Sequence, residues 1–230
     1  MIFNAFERMV ALRYLRARRE GGFVSVIAGF SLAGIALGVA TLIIVMSVMN
    51  GFRAELLDRI LGLNGHIGVY GLTNQPLTDF DRIATEISRL KGVTRVIPTV
   101  EGQVLVSRDR VASGAIVRGV RASDIRARKI ISSNILAGTL DNFKGKSSVI
   151  IGTRMARKFG IGPNDTIRLI SPQSNATAFG SVPRSKKYRV AALFEVGMVE
   201  YDSNFVFRPL KAAQVYFKSK GAVTNSEVFL

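Results

Sequence analysis

Thirty consecutive residues, Phe23 to Phe52, carry no charged side chain, and five arginines (Arg8, Arg13, Arg16, Arg18 and Arg19) stand just ahead of them. A helix rises about 1.5 Å per residue, so roughly 20 apolar residues cross the hydrocarbon core of a bilayer and this run has length to spare for tilt. A buried helix of a soluble protein rarely continues so far without a polar interruption. A cleavable signal has an apolar stretch of about 7–15 residues followed by a small-residue cleavage site. Here the run is longer and ends in Ser47-Val48-Met49-Asn50-Gly51-Phe52. The sequence therefore predicts an uncleaved transmembrane helix over 23–50, with a basic segment over 1–22 before it and a stalk and domain over 51–230 after it. The glycines in the run do not oppose this, because glycine is common in membrane helices and lets neighbouring helices approach.

Charge sets the expected orientation. The leading arginines are offset only by Glu7 and Glu20, whereas Arg53, Glu55, Asp58 and Arg59 beyond the run are balanced. Excess positive charge stays cytoplasmic, which puts the N-terminus in the cytoplasm and the main domain in the periplasm of a bacterial inner membrane. Residues 1–22 read as an amphipathic basic segment on the inner surface, with Ile2, Phe3, Phe6, Met9, Val10 and Leu12 against membrane lipid and the arginines toward headgroups.

There is no cysteine, so no disulfide framework is available, and a domain of this size buries an adequate core without one. The chain holds 32 basic and 16 acidic residues; five basic and two acidic ones fall in the first 52, so the rest carries about +13. Nucleic acid as the partner conflicts with the topology. Anionic lipid headgroups, an acidic partner protein, or plain solubility each account for the charge.

Beyond the span, Leu56, Leu57, Ile60 and Leu61 continue the helix as a stalk that Asn64-Gly65 stops. A short strand over His66–Tyr70 precedes an amphipathic helix over Asp79–Leu90, with Phe80, Ile83, Ala84, Ile87 and Leu90 on one face. Val93–Val106 reads as a strand broken at Pro98, followed by strands at Arg110–Val120 and Ser148–Ile151, a helix over Gly152–Phe159, and strands at Thr166–Ile170, Tyr188–Val196 and Asn204–Arg208. A last helix fits Leu210–Phe217. Strands and helices alternate, so the domain is α/β or α+β. Residues 171–187 are rich in turn formers yet contain Phe179, Val182 and two prolines; they read as a hook-like hairpin projecting between two strands.

No catalytic constellation emerges. His66 is the single histidine, at a turn-to-strand boundary, and no cysteine exists to complete a metal site with it. Asp79 and Asp81 sit at a helix start, where carboxylates favour the macrodipole. Gly145-Lys146-Ser147 looks like the end of a phosphate loop, but the preceding glycine, Gly138, is six residues back where the loop needs four. No cofactor is expected.

The string Ser47-Val48-Met49-Asn50-Gly51-Phe52-Arg53-x-Glu55-Leu56, then Ile60-Leu61-Gly62 and His66-Ile67, resembles the first membrane helix of lipoprotein-releasing ABC transporter permeases of the LolC/LolE type. The resemblance continues through Ile151-Gly152, Leu169-Ile170-Ser171-Pro172, Phe179-Gly180 with Pro183, and Phe194-Glu195-Val196-Gly197-Met198-x-Glu200-Tyr201-Asp202, and it covers nearly the whole chain. It implies a MacB-like α/β (α+β) periplasmic domain between the first two of four membrane helices. It also implies a cytoplasmic ATPase subunit, a second permease subunit, triacylated lipoproteins as cargo and a periplasmic lipoprotein carrier that receives them. The chain stops at Leu230, inside the expected periplasmic domain and short of the second to fourth membrane helices, as a fragment or truncated product would.

The resemblance further implies residue roles. Met46, Met49 and Phe52 recur every third position near the outer end of the span and suit acyl chains, the flexible thioether adapting to their shape. Gly34 and Gly38 form a flat patch for helix packing against the second permease. Phe179, Pro183 and Arg184 fall where the carrier-recruiting member grips its carrier. Two other readings stay open: a related mechanotransmitting permease for efflux or cell-wall hydrolase control, and a single-span anchor presenting a periplasmic binding domain.

Overall fold

A computed structural model describes residues 4–15, 22–72, 75–177, 180–219 and 221–230. The chain divides into two compact units, Met1–Leu57 and Asp58–Leu230.

The first unit holds α1 (Ala5–Leu15) and most of α2 (Gly22–Asn64), a 43-residue helix that crosses the boundary between the units. Inside the apolar run the Thr41 hydroxyl donates to the Leu37 carbonyl at 2.8 Å, so its polar atom is satisfied within the helix. Within α1, Phe6, Met9 and Val10 share one face at i, i+3 and i+4, but Arg13 falls on that same face, so the apolar stripe is interrupted by charge. Ile2, Phe3, Arg16, Arg18 and Arg19 lie outside the described residues, and the Leu12 side chain is likewise undescribed.

The second unit starts with the final turns of α2. It continues through β1 (Ile67–Tyr70), β2 (Leu77–Thr78), α3 (Phe80–Ser88), β3 (Arg95–Arg108), β4 (Val111–Val120), α4 (Ala122–Ala127), α5 (Lys129–Ser132) and β5 (Ile135–Gly138). After a 3-10 turn at Leu140–Asn142 come β6 (Ser148–Gly152), α6 (Thr153–Phe159), β7 (Thr166–Thr177), β8 (Gly180–Phe194) and α7 (Val199–Asn204). The unit ends with β9 (Phe205–Pro209), α8 (Leu210–Tyr216), β10 (Ala222–Val223) and β11 (Asn225–Phe229).

Strand pairing runs β1-β11-β3-β4-β9-β6-β8-β5, and β7 joins β8 back to β3. The path β3-β4-β9-β6-β8-β7 thus closes on itself, which removes free edges from those strands. Two of the pairings, β4 with β9 and β6 with β8, are parallel, and the others are antiparallel. The mixed, mainly antiparallel sheet makes the domain α+β, one of the two classes the alternation allowed.

Every strand of the closed path feeds one apolar cluster: Val104 and Val106, Val117, Val206, Ile151, Val190, and Ile167 with Leu169. A second cluster takes the alternate residues Ile150, Ala192, Phe194 and Phe207, together with Leu63, Ile125 and Phe143 from outside the path. Neighbours such as Ile150 and Ile151 enter different clusters because successive strand side chains point to opposite faces. β6 is buried at all five positions, which explains its unbroken apolar run Val149-Ile150-Ile151.

One expectation needs correction. β3 is not broken at Pro98; that residue pairs with Ser226 of β11, and pairing with β4 begins only at Val100, so the missing amide falls where the strand is paired on one side. Asp79 stands at the start of α3 without a side-chain cap bond. It adopts a left-handed conformation (φ 52°), and its carbonyl accepts from the amides of Arg82 and Ile83. The hairpin read over 171–187 is a ladder of β7 and β8, with Ser174 opposite Pro183 and Thr177 opposite Gly180.

Candidate functional site

The sequence-predicted residues fall in two places. Met46, Met49 and Phe52 lie along α2 and are 62, 58 and 62 % exposed, and none of the residues in the most apolar window of that helix is buried. So large an uncovered apolar surface calls for lipid or protein to cover it. A Cβ built at Gly34 or Gly38 would meet no heavy atom within 4 Å, so both glycines leave the helix surface flat and open.

The second place is the β7–β8 hairpin. β3 pairs with β7 at Arg168, Leu169 and Ile170, and β6 pairs with β8 from Arg189 onward. Among the described residues, those at 174–177 and 180–183 have only each other as strand partners, so they form a two-stranded arm. A register shift between Ile170 and Ser174 separates the arm from its base; it takes in Pro172, whose missing amide cannot enter the ladder. Pro183 is exposed on the arm. Arg184 is partly engaged already, its Nη1 donating to the carbonyls of Val215 (3.2 Å) and Tyr216 (2.6 Å) at the end of α8. Phe179 lies outside the described residues.

A third feature escaped the sequence reading: a buried charged cluster around the last turn of α2. Gly65 takes a left-handed conformation (φ 71°) and its amide returns to the Leu61 carbonyl at 2.9 Å, ending the helix. The Leu63 carbonyl accepts from two guanidinium groups, Arg118 Nη1 at 3.0 Å and Arg128 Nη1 at 2.6 Å. Arg118 Nη2 donates to Asn64 Oδ1 at 2.8 Å and its Nε to Glu101 at 2.7 Å, while Arg128 Nη2 donates to Glu227 Oε2 at 2.6 Å. Asn64 also donates to the Tyr201 hydroxyl, and Arg59 Nη1 to the Val196 carbonyl at 3.0 Å. Two cations at the negative end of the helix dipole suit its electrostatics, and two carboxylates balance them. Burial pushes the Glu227 carboxyl up, against the pull of Arg128 and Arg118, and burial likewise pushes the Arg128 guanidinium down. The available signal was a charge inside an apolar strand, as at Arg118 within Ile116-Val117-x-Gly119-Val120.

His66, the single histidine, accepts from the Leu230 amide at 3.3 Å and meets the Phe229 ring edge-on. Asp81 is paired with Arg121. Among the described residues no group of three or more His, Cys, Asp or Glu side chains gathers as metal ligands would.

A family profile described as "MacB-like periplasmic core domain" matches residues 28–228. The chain is 32% identical, over 93% of its length and 52% of the other protein, to "Lipoprotein-releasing system transmembrane protein LolC" of Neisseria meningitidis serogroup B. It is 26% identical, over 90% of its length and 50% of the other, to "Lipoprotein-releasing system transmembrane protein LolE" of Haemophilus influenzae. The solved periplasmic region of MacB from Actinobacillus actinomycetemcomitans aligns with a TM-score of 0.47 and 13% identity, over 76% of this chain and 79% of that one. The chain spans about half the length of the curated relatives it matches.

Proposed function

The chain belongs to the MacB-like periplasmic core domain family, and from that premise we propose that it serves in an ABC transporter of the LolC/LolE kind as a non-catalytic permease subunit for lipoprotein release. The observation that carries the reading is the LolC similarity along 93% of the chain, including its uncovered apolar helix. In this reading the N-terminus is cytoplasmic, the apolar part of α2 crosses the inner membrane, and the β-rich domain is periplasmic. A separate cytoplasmic ATPase subunit supplies the work of hydrolysis.

Each residue group then has a physical task. Met46, Met49 and Phe52 give the acyl chains of a triacylated lipoprotein an apolar surface as they leave the outer leaflet; a thioether contacts chains of variable shape without a fixed fit. Gly34 and Gly38 let a helix of the second permease subunit approach closely. The β7–β8 arm, with Phe179, Pro183 and Arg184, receives the periplasmic carrier. Its backbone ladder holds it extended, so the carrier meets an ordered segment and less entropy is lost on docking.

The test is site-specific photocrosslinking from Met49 and from Phe179 in the membrane-inserted protein assembled with its partners. Lipoprotein captured at Met49 and a soluble carrier captured at Phe179 support the reading. Capture of neither, with the ATPase still co-purifying, turns it to a mechanotransmitting or efflux permease.

A further inference from the structure

Arg208 sits at the floor of a cleft of about 600 Å³ between β8, β9 and α8. It is 1 % exposed, and its Nη2 donates to the Lys146 carbonyl over a long 3.5 Å. Its Nε and Nη1 are buried with no acceptor. The guanidinium carbon lies 4.2 Å from the centre of the Tyr188 ring and 5.0 Å from that of Tyr216. Those ring faces attract the charge, but guanidinium N–H groups point outward in its own plane, so the aromatic contacts leave them unanswered. The hydroxyls of Tyr188 and Tyr216 are also buried without a partner. One buried cation and two buried phenols therefore lie together at the floor of the cleft, where Arg208 and Tyr188 interact with each other and, among the described residues, no carboxylate joins them.

The walls add charge of one sign. Lys146, Arg184, Lys186 and Lys218 line the cleft with Arg208, and no carboxylate is among the lining residues. This differs from the end of α2, where each buried arginine faces a glutamate. Burial lowers the Arg208 pKa and pushes Tyr216 up to about 12. Lys146, Lys186 and Lys218 are exposed, so the floor is reached past side chains free to swing aside.

We propose that this cleft binds a tetrahedral oxyanion of the phosphate class, with Arg208 and the two tyrosine hydroxyls donating from the floor and the lysines neutralising charge at the rim. Phosphate suits it better than a carboxylate, because its oxygens answer donors converging from several directions while a carboxylate presents two in one plane. Lys146 contributes a side chain and no amide cradle, so the defective glycine spacing around it is no obstacle. Inorganic phosphate and the phosphate of a lipid headgroup share this chemistry. The site does not rest on the transport reading.

The test uses the full chain in uncharged detergent micelles at fixed ionic strength. The chain has five tyrosines and no tryptophan, and two of those tyrosines are in the cleft, so tyrosine emission reports occupancy alongside calorimetry. Titration with inorganic phosphate is expected to saturate at one site. The Lys146→Ala/Lys218→Ala double variant, altered only at exposed positions, is expected to bind about tenfold more weakly with unchanged thermal stability. Arg208→Met is expected to abolish binding; if that variant does not fold, the rim variant decides. Equal binding of glycerophosphoglycerol assigns the ligand to a lipid headgroup, whereas preference for inorganic phosphate assigns it to the free ion. Absence of saturable binding to the unaltered chain overturns the proposal, as does binding by the rim variant indistinguishable from it.

Discussion

Arg128 donates through Nη1 to the Leu63 carbonyl, and the 2.6 Å contact joins the end of α2 to a guanidinium whose other arm holds Glu227. Both side chains of the ion pair are nearly out of water, 3 % and 2 % exposed. Removing Arg128 leaves Glu227 with its longer contact to Arg118, at 3.5 Å, and a broken buried pair costs about 3–5 kcal/mol. Arg128→Met is therefore expected to lower the unfolding free energy of the domain by that order, measured by urea denaturation of the full chain in micelles. Arg128→Lys keeps the charge but loses the planar fork that serves Leu63 and Glu227 together, so it should recover only part of the loss. An unchanged urea midpoint in Arg128→Met would show that the contact does not hold the helix end.

Asp202 gives stability an unusual pH dependence. Burial raises its pKa above the ordinary 3.8, and the amides of Val196 (2.9 Å) and Gly197 (3.2 Å) only partly offset that. A carboxyl that holds its proton more tightly when folded contributes stability at low pH that is lost as pH rises through its folded pKa. The stability difference between the unaltered chain and Asp202→Asn should therefore shrink from about pH 4 upward. Thermal melts of both proteins across pH 4 to 7 check this, and a widening difference contradicts it.

Gly152 ends β6 where the backbone of Asp202 crosses it: a Cβ there would lie 2.2 Å from the Asp202 carbonyl oxygen and 2.5 Å from its Cα. Backbone on both sides cannot give way as a flexible side chain does. Gly152→Ala should cost several kcal/mol, at or above the roughly 1–3 kcal/mol typical of overpacking. Gly114, also in a strand, has nothing within 4 Å of its would-be Cβ, and Gly114→Ala should change stability by no more than about 0.5 kcal/mol. Equal melting temperatures for the two variants would count against the close approach at β6.

What could be read from the sequence depended on how local its cause was. The length of α2 and its stop at Asn64-Gly65 follow from neighbouring residues, as do the apolar run of β6 and the helix after it. β11 went unread because Asn225-Ser226-Glu227 looks like a solvated turn; Glu227 is buried there with Arg128, 99 residues away, and Arg118 as its charged partners. The β7–β8 arm was legible as a hairpin from its turn formers, but its register was not, because the ladder is made of backbone groups that any residue carries. At the candidate sites, the exposed apolar stripe of Met46, Met49 and Phe52 follows from helical spacing, while its role comes from the resemblance. Arg184 was selected for contact with a partner, but its ties to Val215 and Tyr216 depend on where α8 ends, which spacing does not encode.

That difference decides which residue tests carrier docking cleanly. Arg184→Ala releases two carbonyls at the end of α8, so a loss of carrier binding in that variant mixes docking with local unfolding. Pro183 is exposed, and its position opposite Ser174 asks for no amide that alanine would lack. Pro183→Ala should leave the melting temperature within the range of ordinary surface changes, about 0.5 kcal/mol, while weakening capture of the periplasmic carrier. Because proline restricts the free arm to fewer conformations, part of the loss should come from the added entropy of ordering it. Carrier pull-down equal to that of the unaltered chain, at equal stability, removes Pro183 from the docking surface and leaves Phe179 to be tested alone.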